Sequence, residues 1–340
     1  MKQKIFSCIA ASVLFCATMS AQVFVIERGS NSLPYSNIKA AIDALQDNDH
    51  LYLPPGEHSL EGYTWEGYEG TQNHSNTVCV NKKVSIYGGG CSNGANSTVL
   101  KSGALIIGKD AEGSLITGIR FDGSFYLDNV SNCIVSRCLT NSTFYLTGTG
   151  DNNVITECEF KSSISSTSSP YISNSNSGLS CIFSKCIFGT YSNTLRASNV
   201  YNCMFKAAAS GVFYNWAVSN NIFIISTSAT HSQFKISGTQ NTFAKNLWVG
   251  GVPNVRAEDN NSLNPDNEIA KEPYANVFVD ADAADYHLKD ACNGKDAGTD
   301  GKDVGLYGTS VPFKENRLPA IPNFSLKAIS PETDATGKLP

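Results

Sequence analysis

Seven segments of the chain repeat one pattern of apolar and polar positions: Ile116–Phe121, Val135–Thr140, Ile155–Phe160, Phe183–Phe188, Val200–Phe205, Val218–Phe223 and Phe243–Trp248. Each begins with an apolar residue, followed by two mostly small or polar residues. Then come Cys, Asn or Ile, any residue, and an aromatic, with Thr replacing it once. The fourth positions are separated by 19, 20, 28, 17, 18 and 25 residues. Strand side chains alternate between faces, so the fourth and sixth positions both point inward on one strand. The apolar first position ends a preceding strand, and the two residues between form a bend pointing outward. A unit of roughly twenty residues cannot bury its own inner face, so it must stack on its neighbours; the pattern predicts a solenoid of parallel strands. The variable spacing predicts loops of variable length on a constant core. The longest gap holds Ser162–Ser180, where ten of nineteen residues are Ser, and is read as an inserted loop.

Ahead of the repeats, Ile38, Ala41, Ile42 and Leu45 have i, i+3, i+4, i+7 spacing, the apolar face of a short helix at about 36–46. Val84–Gly89 reads as an earlier coil. The repeats run over about 80–250, and a turn-rich closing segment over about 275–308. Residues 311–340 hold Pro312, Pro319, Pro322, Pro331 and Pro340, which predicts an extended tail. The first 21 residues read as an export signal: Lys2 and Lys4, an apolar run from Ile5 to Met19, then Ser20 and Ala21 before the cut. Cys16 follows Phe15 rather than a small residue, which argues against a lipid anchor. The run is too short to span a membrane, and no later run is long enough. The resulting organisation is a signal at 1–21, one solenoid domain at 22–310 and a tail at 311–340.

Composition sharpens this picture. Only 16% of the 340 residues are charged, and Ser, Asn and Thr take the place of the missing charge. These residues are weak helix formers, so a helical protein is excluded in favour of an all-β one. Net charge is −5, falling to −7 when Lys2 and Lys4 leave with the signal, and there is no basic block. Nucleic-acid binding therefore has no electrostatic footprint. Of eleven cysteines, Cys8 and Cys16 lie in the signal and nine remain. Cys138, Cys158, Cys186 and Cys203 share the inward fourth position, continued by Asn221 and Asn246. Their spacing lacks the close pairs of a zinc site. In-register strands hold neighbouring Cβ atoms awkwardly for a disulfide, so the column reads as buried reduced thiols. Cys79 and Cys91 flank Val84–Gly90 and are the candidate disulfide.

The helix before Leu51–Gly56, the repeat itself, and Asp285–Leu288 followed by Asp296–Gly308 resemble the right-handed parallel β-helix proteins of the pectin-lyase-like type, in their exported bacterial form. The resemblance covers roughly residues 23–310 and departs from the usual wording at Ala291–Lys295. It implies a single right-handed parallel β-helix with an N-terminal capping helix; the hand also follows the general crossover preference. Lyases of this architecture use an Arg or Lys base with acidic calcium ligands on an outer face. The polygalacturonase, mannuronan-epimerase and pectate-lyase signatures are all absent here. One fold hosts unrelated functions, so activity has to be argued from the site.

Two outward columns carry the candidate chemistry. One reads Arg137, Glu157, Lys185, Asn202, Asn220 and Lys245, either an ion-pair ladder or a saccharide-binding strip. The other reads Arg120, Leu139, Glu159, Ile187, Met204, Ile222 and Leu247; its apolar half calls for a cover, from the tail or a loop. Catalytic candidates are Arg120, Asp122, Arg137, Glu157, Glu159 and Lys185. Trp65 and Tyr68 are candidates for an aromatic sugar platform. Asp296, Asp300 and Asp303, spaced by glycines, are weak calcium candidates, against a reading as turns that close the fold. The expected function is that of an exported, non-catalytic protein, secreted, periplasmic or on the cell surface, which binds a polysaccharide, cell-surface glycan or other surface partner without a cofactor. The alternative is a polysaccharide lyase, with calcium.

Overall fold

The computed structural model describes residues 23–319, except 69–72, 93, 95, 163, 168–180, 190–193, 197, 209, 215–216, 226–232, 238–240 and 256–267. The expected export signal, most of the Ser-rich loop and the tail beyond residue 319 lie outside the described residues. The chain is 45% strand and 4% helix, so burial must come from sheets. Strands fall mainly into an 11-stranded sheet from Asn31–Tyr35 to Thr242–Ala244, a 10-stranded sheet from Gly56–Ser59 to Ile269–Glu272, and third sheets of five and four strands. Neighbours within a sheet come from successive turns of the chain, and the pairing along the repeats is parallel throughout. This repeat-like arrangement is compatible with a β-helix. Among the described residues no helix is long and apolar enough to cross a membrane.

The repeat pattern sets the register. Ile116, Val135, Ile155, Phe183, Val200, Val218 and Phe243 lie side by side in the first sheet. Phe121, Thr140, Phe160, Phe188, Phe205, Phe223 and Trp248 lie side by side in the second. Phe188, Phe205, Phe223 and Trp248 stack with centroids 4.4 to 4.5 Å apart. Offset-stacked rings are favoured pairs and fill the core without voids. At the N-terminal end, the strands Phe24–Arg28 and Asn31–Tyr35 form a hairpin. The helix Ile38–Asp43 follows, with the Asn37 side chain accepting the Ala40 N–H, and buries Ile38 and Ala41 in the main core.

The bend is tighter than the sequence suggested. The second template position stays in its strand and the third alone turns the chain. Gly118, Arg137, Glu157, Lys185, Asn202, Asn220 and Lys245 all have φ between 51° and 71°. The left-handed region costs a side-chain-bearing residue about 1–2 kcal/mol. The turn also aims the next N–H into the interior, where it needs an acceptor.

The fourth position supplies it. Asn221 Oδ1 accepts from Cys203 N (2.8 Å), and Asn246 Oδ1 from Asn221 N (3.1 Å). Cys158 Sγ accepts from Cys138 N (3.4 Å), and Cys203 Sγ from Cys186 N (3.3 Å). Asn221 and Asn246 amides donate to Val200 O and Val218 O, both at 3.0 Å. Cys158 and Cys186 thiols donate likewise to Val135 O (3.6 Å) and Ile155 O (3.4 Å). The column is thus a hydrogen-bond ladder in which thiol and amide fill one role. Burial pushes Cys138, Cys158 and Cys186 well above the ordinary thiol range, which keeps the donating S–H in place. A second ladder, which the sequence reading missed, opens the strands of the first sheet. Ser114 Oγ accepts from Val84 N (3.0 Å), and Asn153 Oδ1 from Cys133 N (2.9 Å). Its signal was a small polar or Cys residue two places before the first template position.

Asn221→Leu strands the buried Cys203 N–H and takes a donor from Val200 O and Asn246 Oδ1, and each unsatisfied group costs about 1–3 kcal/mol. Cys158→Ala removes only weak sulfur bonds. We expect Asn221→Leu to lose clearly more stability, measured by urea unfolding.

The Asn ladder ends on Glu268, which accepts from Trp248 Nε1 (2.7 Å) and Asn246 Nδ2 (3.2 Å). Burial dominates over these two donors and raises the Glu268 carboxyl to about 7. A carboxyl with a raised folded-state pKa loses stability as pH rises from the unfolded value through the folded one. Unfolding midpoints should therefore fall between about pH 4.5 and 7. Trp248 emission should titrate near neutrality, and Glu268→Gln should abolish both effects.

Candidate functional site: the corner column and the groove beside it

The corner residues project outward from successive turns. Glu157 is bridged by Arg137 Nε (2.5 Å) and Lys185 Nζ (2.9 Å), and the three side chains are only 12%, 4% and 14% exposed for Arg137, Glu157 and Lys185. Burial opposes ionisation of Glu157, but the hydrogen bonds and charges of Arg137 and Lys185 outweigh it and hold the carboxyl below its usual range.

The same column grips the C-terminal segment. Asn220 O accepts from Gly305 N (2.8 Å). Asn202 Nδ2 donates to Gly305 O (3.2 Å), Lys185 Nζ to Val311 O (2.9 Å) and Arg137 Nη1 to Leu318 O (3.0 Å). Pro319 then reaches Gly118, where a Cβ would lie 2.8 Å from the proline ring and the backbone φ is +71°. The strap therefore runs back along the corners, one turn after another, toward the N-terminal coils. Side-chain bonds to the strap and to one another offset the backbone cost of placing Arg, Glu and Lys in the left-handed region.

The second outward column is covered as its apolar half required. Ile187, Met204, Ile222 and Leu247 form a second buried cluster with Val277, Phe278, Leu288, Cys292, Val304, Leu306 and Phe313. Glu159 lies away from open surface, where Arg317 of the strap holds it at 2.6 Å. Arg120 and Asp122 form a two-pronged pair at 2.8 Å, and Asn141 Nδ2 also donates to Asp122 (2.6 Å). The six catalytic candidates thus separate into a pair, Arg120 with Asp122, a triad of Arg137, Glu157 and Lys185, and Glu159 apart from both.

Beside that triad, on the outer face of the first sheet, lies a groove of about 400 Å³. Tyr87, Leu115, Thr117, Ile134, Ser136 and Thr156 line it, with the triad along one side and Val311 of the strap at its edge. Ser136 donates to Thr117 Oγ1 (2.9 Å), and Tyr87 stacks on Tyr52 at 5.1 Å. The triad carries one net positive charge. Among the described residues Arg137 Nη2 and one Lys185 ammonium hydrogen have no protein acceptor. The groove was missed in the sequence because its floor is the second template position, whose Thr and Ser were read only as bend residues.

The other candidates are corrected by their surroundings. Tyr68 is buried, its hydroxyl accepting from Lys109 N (3.2 Å), and the Trp65 ring meets it edge-on at 88°. Two perpendicular rings, one of them buried, make no flat sugar platform; they pack over the first coils. Cys79 and Cys91 are both free thiols. Cys79 donates to Asn81 Oδ1 (3.3 Å) on the third sheet, while Cys91 is buried near Arg317. Burial pushes each up to about 12. Asp296, Asp300 and Asp303, the calcium candidates, lie in the turn-rich closing segment. Asp303 accepts from Lys295 Nζ (3.0 Å) and Asp296 N (3.1 Å), and Asp300 from Lys302 N (3.3 Å), so they close turns.

No family model matches the chain, and no curated protein does. The reading of the site therefore rests on its own geometry.

Glu157→Gln removes the counter-charge of two largely buried cations and should cost about 3 kcal/mol in urea unfolding at neutral pH. The depressed carboxyl contributes stability above its unfolded-state range, lost as pH falls through its folded value. The wild type should therefore weaken in acid more steeply than the Gln variant.

Proposed function

We propose that the chain is an exported, single right-handed parallel β-helix, capped by the helix Ile38–Asp43, that holds an acidic glycan in the groove beside the corner column without cleaving it. The observation that carries this reading is the state of the charges. Arg120, Arg137, Glu157, Glu159 and Lys185 are committed to one another, to Asp122 and to the strap. An eliminating enzyme needs a base free to take a proton within reach of the substrate. What the groove offers is recognition: an aromatic ring, a row of hydroxyls, and two cationic N–H groups suited to a carboxylate or sulfate. Secretion, the periplasm or the cell surface is the setting that the expected export signal supports.

Ile134 stands in the groove and is 43% exposed. Ile134→Glu places a negative charge beside the ligand while disturbing no core contact. On a glycan array the wild type should retain uronate- or sulfate-bearing glycans, more weakly at high salt. Ile134→Glu should lose them, and Val279→Glu, also exposed but distant in the chain, should not. Retention by Ile134→Glu would refute the site. An unsaturated, ultraviolet-absorbing product from a uronate polymer would refute the non-catalytic reading.

A further inference from the structure

We propose that Asp285, His287 and Glu315 form a zinc site that clamps the C-terminal strap to the closing hairpin. The hairpin pairs Phe278–Asp280 with Asp285–Leu288. Asp285 and His287 are two residues apart on one strand and so project to the same side. Glu315 comes from the strap. His287 Nδ1 is 2.6 Å from Asp285 Oδ1 and 3.9 Å from Glu315 Oε1, and the ligand atoms of all three lie within 4.8 Å of one another. Zinc bonds of about 2.0–2.2 Å set tetrahedral donors roughly 3.3 Å apart, inside this span. The imidazole is held in orientation by stacking on Tyr307 at 3.7 Å, and the Tyr307 hydroxyl donates to Glu315 Oε1 (3.0 Å). That is the outer-shell support expected of a metal ligand.

Charge supplies an independent reason. Asp122, Glu157, Glu159 and Asp303 are each matched by Lys or Arg. Among the described residues Asp285 and Glu315 meet no Lys or Arg in an ion pair, only His287. Two carboxylates beside an imidazole are left to be neutralised by a cation. The nitrogen donor selects zinc over calcium, which favours all-oxygen cages. To bind, the imidazole presents its Nδ1 lone pair to the metal and carries its proton on Nε2. The side chains are 39–60% exposed, leaving room for water in the fourth position.

Calorimetric titration of the metal-free full chain with zinc chloride, with the fold checked by circular dichroism, tests this. One zinc should bind per chain. His287→Ala should abolish binding, and Tyr307→Phe, which keeps the stack, should weaken it about tenfold. Calcium chloride should give no comparable heat. Tryptic cleavage after Lys314, beside Glu315 in the strap, should slow when zinc is bound. Absence of binding, or binding unchanged in His287→Ala, overturns the site. Zinc bound with cleavage unchanged overturns the clamp. Neither result bears on glycan retention at the groove, which is scored separately.

Discussion

The structure depends on a single-residue left-handed corner, repeated at the third template position from Gly118 to Lys245. It joins a strand of the first sheet to one of the second with no intervening loop. That abruptness creates two demands at once. Inside, an N–H is aimed away from any strand partner and must be met by a side chain of the next turn. Outside, a residue other than glycine has to be kept in an unfavourable backbone region. The Cys and Asn ladder answers the first demand, and the ion pairs and strap contacts answer the second. Core and surface chemistry are thus two sides of one peptide geometry.

Seen this way, the charged residues that most resemble catalytic groups are tied into the fold. Arg137 and Lys185 each divide their hydrogen bonds between Glu157 and a strap carbonyl. What they have left faces the groove. The groove therefore cannot be altered at the triad without loosening the strap.

Much of this was legible in the sequence. The template gave the register of both main sheets, the inward Cys and Asn column, and the need for a cover over Ile187, Met204, Ile222 and Leu247. These follow from side-chain period alone. Less was legible where geometry depends on φ. Arg137, Glu157 and Lys185 do not advertise a left-handed corner as a glycine does, so the bend was read as two residues wide. Tyr68 looked like a sugar-binding ring because burial against Lys109, forty-one residues on, leaves no local mark. Cys79 and Cys91 looked pairable because nearness in sequence says nothing of which sheet a side chain serves. The Asp285, His287 and Glu315 cluster was invisible because its third member lies on a strap whose path no periodicity records.

The path of that strap has a wider consequence. Stacked repeats commonly gain or lose a unit with little penalty, since each contacts only its neighbours. Here the last described residues run antiparallel to the order of turns and make appointed contacts with the corners at 220, 202, 185, 137 and 118. Inserting or deleting one turn would shift every later contact by about 4.8 Å, one strand spacing. The strap therefore acts as a ruler laid along the stack: between the corners at 118 and 220 it fits only one count of turns, a number the repeats alone would leave open.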